Sequence, residues 1–258
     1  MEYSTITLSI KDDIATLTLN RPDVLNGMTA QMRAEVTDAA KEAARRARVL
    51  VVTGAGRGFC SGQDLGGATR ISDIDLEGTL IDEYQPMLEA IYDCPIPTIA
   101  AVNGPAAGAG ANLALAADIV IAREDAYFMQ AFSLIGLIPD AGGTYFLPRN
   151  MGFAKAMGAA LLAEKISGRQ AADWGLIWEA VPEQDFAETV ARRAAYLAKG
   201  PTAAFGKIKK VIRASFENDL DNQLAMEAKL QGEAGKTRDF AEGVVAFNEK
   251  RKPVFEGR

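Results

Sequence analysis

An apolar strand pattern, Ile99 to Val102, breaks at Asn103-Gly104-Pro105. The small residues Ala106-Ala107-Gly108-Ala109-Gly110-Ala111 then lead directly into an Ala/Leu-rich helical pattern that runs to Ala117-Asp118. Gly108 and Gly110 remove the Cβ on either side of Ala109, so another group can come close to the peptide N–H groups there. The first turn of a helix leaves its N–H groups without intrahelical partners and carries the positive end of the helix dipole. A phosphate, a carboxylate or a developing oxyanion suits such a place. Close packing of a helix on its own strand selects the same small residues, and at this corner alone both readings stand.

Composition removes several kinds of chemistry. The chain of 258 residues contains no histidine and only two cysteines, Cys60 and Cys94. That excludes Ser-His-Asp and Cys-His triads and His-ligated zinc, and it gives no disulfide framework. Carboxylates, hydroxyls, lysines and backbone amides are left to do the work. A net charge of −6 argues against nucleic acid as a partner. The opening residues Met1-Glu2 run into an alternating pattern unlike a secretory leader, and no apolar run is long enough to span a membrane. The expectation is a cytoplasmic protein.

Alternation over Thr5–Ile10 and Ile14–Leu19, with Lys11-Asp12-Asp13 between, predicts a hairpin. Thr29 predicts the cap of a helix reaching Arg45-Arg46, and Val49–Thr53 a strand buried on both faces. After it, Gly54-Ala55-Gly56-Arg57-Gly58-Phe59 fails the dinucleotide spacing, because Phe59 stands where the third glycine belongs. No Gly-Lys-Ser/Thr occurs, so a P-loop is excluded. A second tight turn follows at Cys60-Ser61-Gly62-Gln63-Asp64-Leu65, then a polar, glycine-rich loop over 66–75 and a helix over Leu80–Ile91. Short strands are predicted at Asp118–Ala122 and Ala126–Gln130. Phe132 to Thr144 is an apolar loop with one carboxylate, Asp140, before Gly142-Gly143. Asp140 is either a helix cap or a carboxyl whose pKa is raised by apolar neighbours. Helical patterns dominate afterwards, with Gly200-Pro201 as a joint between a core over 1–199 and an all-helical region over 200–258.

Five pieces, in order along nearly the whole chain, resemble the crotonase (enoyl-CoA hydratase/isomerase) superfamily. They are Leu19-Asn20-Arg21-Pro22, Phe59 to Leu65, Asn103 to Gly110, Ile138 to Thr144, and the terminal Glu242-Gly243 to Arg251. The resemblance implies an α/β fold, a spiral of repeated ββα units followed by a helical C-terminal trimerisation region, giving a homotrimer or a dimer of trimers. It implies an acyl-CoA thioester substrate whose carbonyl oxygen meets the backbone N–H groups of Gln63 and Ala109. Two preorganised donors of this kind stabilise an enolate oxygen by about 3 kcal/mol each. By the same resemblance Val24, Leu25 and Gln63 to Leu65, including Asp64, recognise the CoA, and Lys250 reaches its nucleotide end, from a neighbouring subunit where the assembly allows. CoA comes as part of the substrate, and no metal or other cofactor is implied.

Hydratases of this superfamily carry glutamates where this chain has Asn112 and Phe132. Losing a general acid or base costs about 10²–10⁴-fold each, which disfavours hydration. Asp140 matches the aspartate of isomerase and dehalogenase members, and the dehalogenase Trp near Phe132 is absent. Gln130-Ala131-Phe132, Gly136 to Asp140 and Trp174 to Trp178 resemble the isomerases of ring-epoxidised phenylacetyl-CoA. Asp140 is therefore expected to shuttle the proton, with Asn112 and Phe132 shaping an acyl pocket. A general enoyl-CoA hydratase or Δ3,Δ2-enoyl-CoA isomerase and a catalytically silent acyl-CoA-binding subunit are the alternatives.

Overall fold

A computed structural model describes residues 3–64, 66 and 75–258. Leu65 and most of the glycine-rich loop expected over 66–75 lie outside the described residues. Alternating residues build the hairpin β1 (Ile6–Lys11) and β2 (Ile14–Leu19), and Thr29 caps α1 (Ala30–Arg46) by accepting from the Met32 N–H. β3 (Val49–Gly54), β4 (Thr98–Val102), β6 (Ile119–Arg123) and β9 (Glu179–Val181) extend the sheet from β2, each parallel to the one before, giving the order β1-β2-β3-β4-β6-β9. Side chains alternate faces along a strand. Leu50 and Val52 therefore join the core under α1, whereas Val49 and Val51 meet Ala194, Leu197 and Ala198 of α8 (Glu183–Ala198). Each fully buried Val or Leu here contributes about 1.5–3 kcal/mol.

A second, small sheet stacks β5 (Ala106–Ala107), β7 (Tyr127–Met129) and β8 (Ile166–Ser167), and Cys60 joins it through an isolated bridge to Ala106. β4 with β5, and β6 with β7, thus each give one strand to the large sheet and a short one to the small sheet before a helix closes the turn. This is the expected α/β spiral. Two-residue strands such as β5 carry no periodic signal, so sequence patterns did not predict β5 or β8.

The helix expected over Leu80–Ile91 begins earlier. α2 (Leu76–Thr79), capped by Asp75, runs through one wide turn, Leu80–Tyr84, into α3 (Gln85–Tyr92). Pro86 explains the wide turn. It has no N–H to donate, and the Gln85 N–H reaches back five residues to the Leu80 carbonyl, so the bulge absorbs the defect. α4 (Ala109–Leu115), α5 (Gly143–Met151), α6 (Phe153–Leu162) and α7 (Gly168–Asp173) fill the spiral. α9 (Thr202–Ala214), α10 (Leu220–Ala234) and α11 (Arg238–Asn248) make the C-terminal region, and the boundary expected at 199/200 falls in the turn between α8 and α9. Among the described residues no helix is long and apolar enough to cross a membrane.

Candidate active site

The two glycine corners sit in successive turns of the spiral, which is why they meet. The Ala107 N–H donates to the Cys60 carbonyl at 2.9 Å, and the Phe59 and Cys60 N–H groups donate to the Pro105 carbonyl at 3.0 and 3.1 Å. Gly62 (φ +94°) and Gly108 (φ +52°) take conformations that favour glycine. A Cβ on Gly62 would stand 3.5 Å from the Ala109 nitrogen, so the Gly62-Gln63 peptide and the Ala109 N–H border one space. Among the described residues neither the Gln63 nor the Ala109 N–H donates to a protein acceptor. Gly110 serves a different purpose. A Cβ there would come within 2.4 Å of the Cys60 carbonyl oxygen, so this glycine is the close packing of helix on strand. At the opening corner the close-packing reading applies at Gly110, while Gly108-Ala109 leaves an N–H facing open space.

The first corner is braced by the 21–28 loop. The Ser61 N–H donates to the Leu25 carbonyl at 2.9 Å, Met28 N–H to Gly62 carbonyl at 2.8 Å, and Asp64 N–H to Met28 carbonyl at 3.0 Å. Buried Asn26 donates to the carbonyls of Ala55, Gly58 and Phe59. Arg21 pairs with Asp64 at 2.8 Å. The Gly66 N–H and Arg21 hold the Asp64 carboxyl below the usual carboxylate range. Val24 is exposed beside this brace and Leu25 takes a left-handed backbone, so the Val24–Leu25 turn is fixed next to Gly62-Gln63. The Arg21–Asp64 pair escaped the sequence reading, since ion pairing across 43 positions leaves no local pattern.

Asp140 follows the apolar run expected of it. It does not cap α5; that place belongs to Gly142, and Asp140 contributes only its carbonyl, which accepts from the Gly143 N–H at 2.8 Å. Its Oδ1 is buried without a hydrogen-bond partner among the described residues, and burial pushes its pKa up to about 6. A carboxyl so poised can release and recover a proton near neutral pH. Phe132 is buried with its ring against Gly108: a Cβ there would lie 3.7 Å from Cζ. Asn112 stands one turn of α4 beyond Ala109, a rise of about 4.5 Å, and is fully buried at 0 % exposure. Its Nδ2 donates to the Asp140 carbonyl at 2.7 Å and its Oδ1 accepts from Gln130 Nε2 at 2.9 Å. Both polar atoms of the Asn112 side chain are thus turned to protein partners. Lys250 is exposed beyond α11 and is not hydrogen-bonded to the other candidate residues. Among the described residues no cluster of three or more acidic or cysteine side chains is arranged to hold a metal.

Comparison with known proteins agrees with this architecture. The Enoyl-CoA hydratase/isomerase family model matches residues 9–258. A Rhodobacter capsulatus protein named "Probable enoyl-CoA hydratase" is 57% identical over 258 residues, covering 100% of both chains. The Escherichia coli 1,2-epoxyphenylacetyl-CoA isomerase is 45% identical, with 96% of this chain and 97% of that one covered. The crystal structure of an enoyl-CoA hydratase from a Polaromonas species superposes with a TM-score of 0.92 at 32% identity, covering 98% of this chain and 100% of that one. The chain belongs to the enoyl-CoA hydratase/isomerase family.

Proposed function

We propose that this enzyme is an acyl-CoA isomerase in which Asp140 is the single proton carrier. The observation that carries the reading is the lone carboxyl: Asp140 Oδ1 is buried and unpartnered among the described residues, and the positions of Asn112 and Phe132 bring no second carboxylate beside it. Asp140 removes a proton from carbon next to the thioester. The electron pair moves onto the carbonyl oxygen, where the Gln63 and Ala109 N–H groups receive it. The pair then returns to a different carbon, which takes back the same proton. No atom is gained or lost and no redox change occurs, so CoA bound as part of the substrate is the only nucleotide involved. Water addition would call for a second acid-base group.

The acyl group of this reading is the ring epoxide of phenylacetyl-CoA: the C–C bond between its two epoxide carbons opens to give the seven-membered oxepin, and the proton that Asp140 takes from the carbon next to the thioester is returned to a ring carbon. Its support is the 45% identity to the Escherichia coli isomerase and the aromatic wall that Phe132 sets beside Gly108. CoA lies along Val24-Leu25, Gln63, Asp64 and Leu65, and Lys250 of a neighbouring chain in a homotrimer or a dimer of trimers meets its nucleotide end. Hydration of enoyl-CoA is the second reading, favoured by the name of the 57% identical relative.

Asp140→Asn, assayed on the ring-epoxide thioester, a 3-enoyl-CoA and a 2-enoyl-CoA, separates the two. The expected outcome is isomerisation by the parent enzyme, little hydration, and a loss of about 10² or more on Asp140→Asn with acyl-CoA binding retained. Undiminished isomerisation by the variant would remove Asp140 from the mechanism. Hydration by the parent enzyme that outpaces isomerisation would favour the second reading.

A further inference from the structure

Resting on the reading of Asp140 as the proton carrier, we infer that Gln130 and Asn112 form a buried amide relay that positions Asp140 through its backbone carbonyl, and that residue 112 must be an amide for this to work.

Hydrogen-bonding chemistry fixes the direction of the relay. A backbone carbonyl only accepts, so Asn112 must turn Nδ2 toward Asp140, at 2.7 Å. Oδ1 is then the atom that faces Gln130, which has to answer with Nε2, at 2.9 Å. Neither amide can be reversed without setting two acceptors or two donors against each other. The Asp140 carbonyl also accepts from the Gly143 N–H, so it is held from two sides.

The held peptide is one that needs holding. Ala141 (φ +47°) and Gly142 (φ +81°) are consecutive left-handed residues, and an alanine stays in that region where its surroundings keep it there. The Asn112 amide also lies tight against the start of α5, since a Cβ on Gly143 would come within 2.6 Å of Nδ2. The far end of the relay, Gln130, is 2 % exposed, and its Oε1 has no partner among the described residues.

A carboxylate at 112 would place an acceptor against an acceptor carbonyl and a negative charge beside Asp140. The relay therefore keeps the site to one carboxyl. Asn112 and Gln130 are positioning residues, acting on the reacting atoms through Asp140. Among the described residues Tyr84 is a titratable group near Asp140, and Cys60 in turn lies near Tyr84. Burial pushes the Tyr84 hydroxyl up and the Cys60 thiol to about 12, and the Arg33 guanidinium lies 4.6 Å over the Tyr84 ring while paired to Glu83.

The test compares Asn112→Leu, Asn112→Asp, Gln130→Met and Asp140→Asn in the full-length enzyme. The measurements are circular dichroism, kcat and KM for isomerisation, and the pH profile of kcat/KM. A misplacement of Asp140 by about 1 Å lowers kcat on the order of 10²-fold with KM little changed, and this is the expected result for Asn112→Leu. Gln130→Met should fall less. Asn112→Asp, closest in shape to the parent, should lower kcat as Asn112→Leu does with KM little changed, and its charge beside Asp140 should also shift the acid limb of the profile to higher pH. If Asn112→Leu fails to fold, Asn112→Asp and Gln130→Met decide. Parental kcat and an unmoved acid limb in the folded variants, with Asp140→Asn inactive, would overturn the relay and leave the reading of Asp140 standing. Activity retained in Asp140→Asn would instead overturn that reading.

Discussion

Charge on Asp140 is opposed by burial, and this links the chemistry of the residue to the stability of the chain. Its pKa rises from 3.8 to about 6. Below pH 3.8 both folded and unfolded chains hold the proton. Between 3.8 and about 6 the folded chain keeps a proton that the unfolded chain has lost, so stability falls as pH rises through this window. Above it the penalty is complete, about 1–2 kcal/mol once the partial exposure of the group is allowed for. Asp140→Asn should therefore melt higher than the parent at pH 8, with the gain fading by pH 4. Thermal denaturation at the two values checks this, and an equal gain at both would contradict it. In the parent, kcat/KM should decline below about pH 6 as the carboxyl becomes protonated. Asp140 was legible in the sequence because one carboxylate stood in an otherwise apolar run. The use made of Asn112 was not. A sequence can place an amide one helical turn from Ala109, but it cannot say toward which neighbour a buried amide turns.

At the scale of elements, one carboxylate fastens the C-terminal helices to the sheet. Asp118, ahead of β6, accepts from the Thr98 N–H and hydroxyl at 2.7 and 2.9 Å and pairs with Lys209 and Arg213 of α9, each at 2.7 Å. Arg213 also stacks 3.7 Å over the Tyr92 ring, and Lys209 donates to the carbonyls of Cys94 and Ile96. Removing one member strands buried charge. Asp118→Ala should cost about 3 kcal/mol in urea denaturation, and a loss below about 0.5 kcal/mol would show that water replaces the carboxylate. Strand and helix positions were readable from periodicity to within a few residues, β3 and α1 being the clearest cases. What periodicity could not supply was the pairing of elements. Cys60 and Ala106 are 46 positions apart, and they touch because the second sheet stacks two-residue strands too short to register in the pattern. The Gln63 and Ala109 corners were linked in the sequence only through the family resemblance; the stacking supplies the physical reason.

Large apolar side chains are exposed along α6 and along the C-terminal helices. On α6, Phe153, Met157 and Leu161 are exposed four residues apart, hence on one side of the helix, and Leu134, Ile135 and Ile138 of the adjoining loop are exposed as well. The Ser133 hydroxyl donates to the Leu161 carbonyl at 3.4 Å, joining that loop to α6. The other face belongs to α11, with Phe240, Val244 and Phe247 exposed at spacings of four and three and hence on one side of the helix, the last at 82 %. Patches of this kind are uncommon on a monomer. A closed ring of three identical chains needs a heterologous contact, in which one face of each chain meets a different face of the next, and these two faces meet that requirement for the proposed trimer. The arrangement makes a prediction that a single symmetric patch would not. Leu161→Glu and Phe247→Glu should each lower the sedimentation coefficient from trimer to monomer. Each variant keeps one intact face, and the intact faces differ, so mixing the two should yield a dimer that cannot close. Ile138 lies two residues before Asp140, so the same mixture should recover less isomerase activity per chain than the parent trimer. A mixture that sediments as monomer would mean that the two faces do not meet each other.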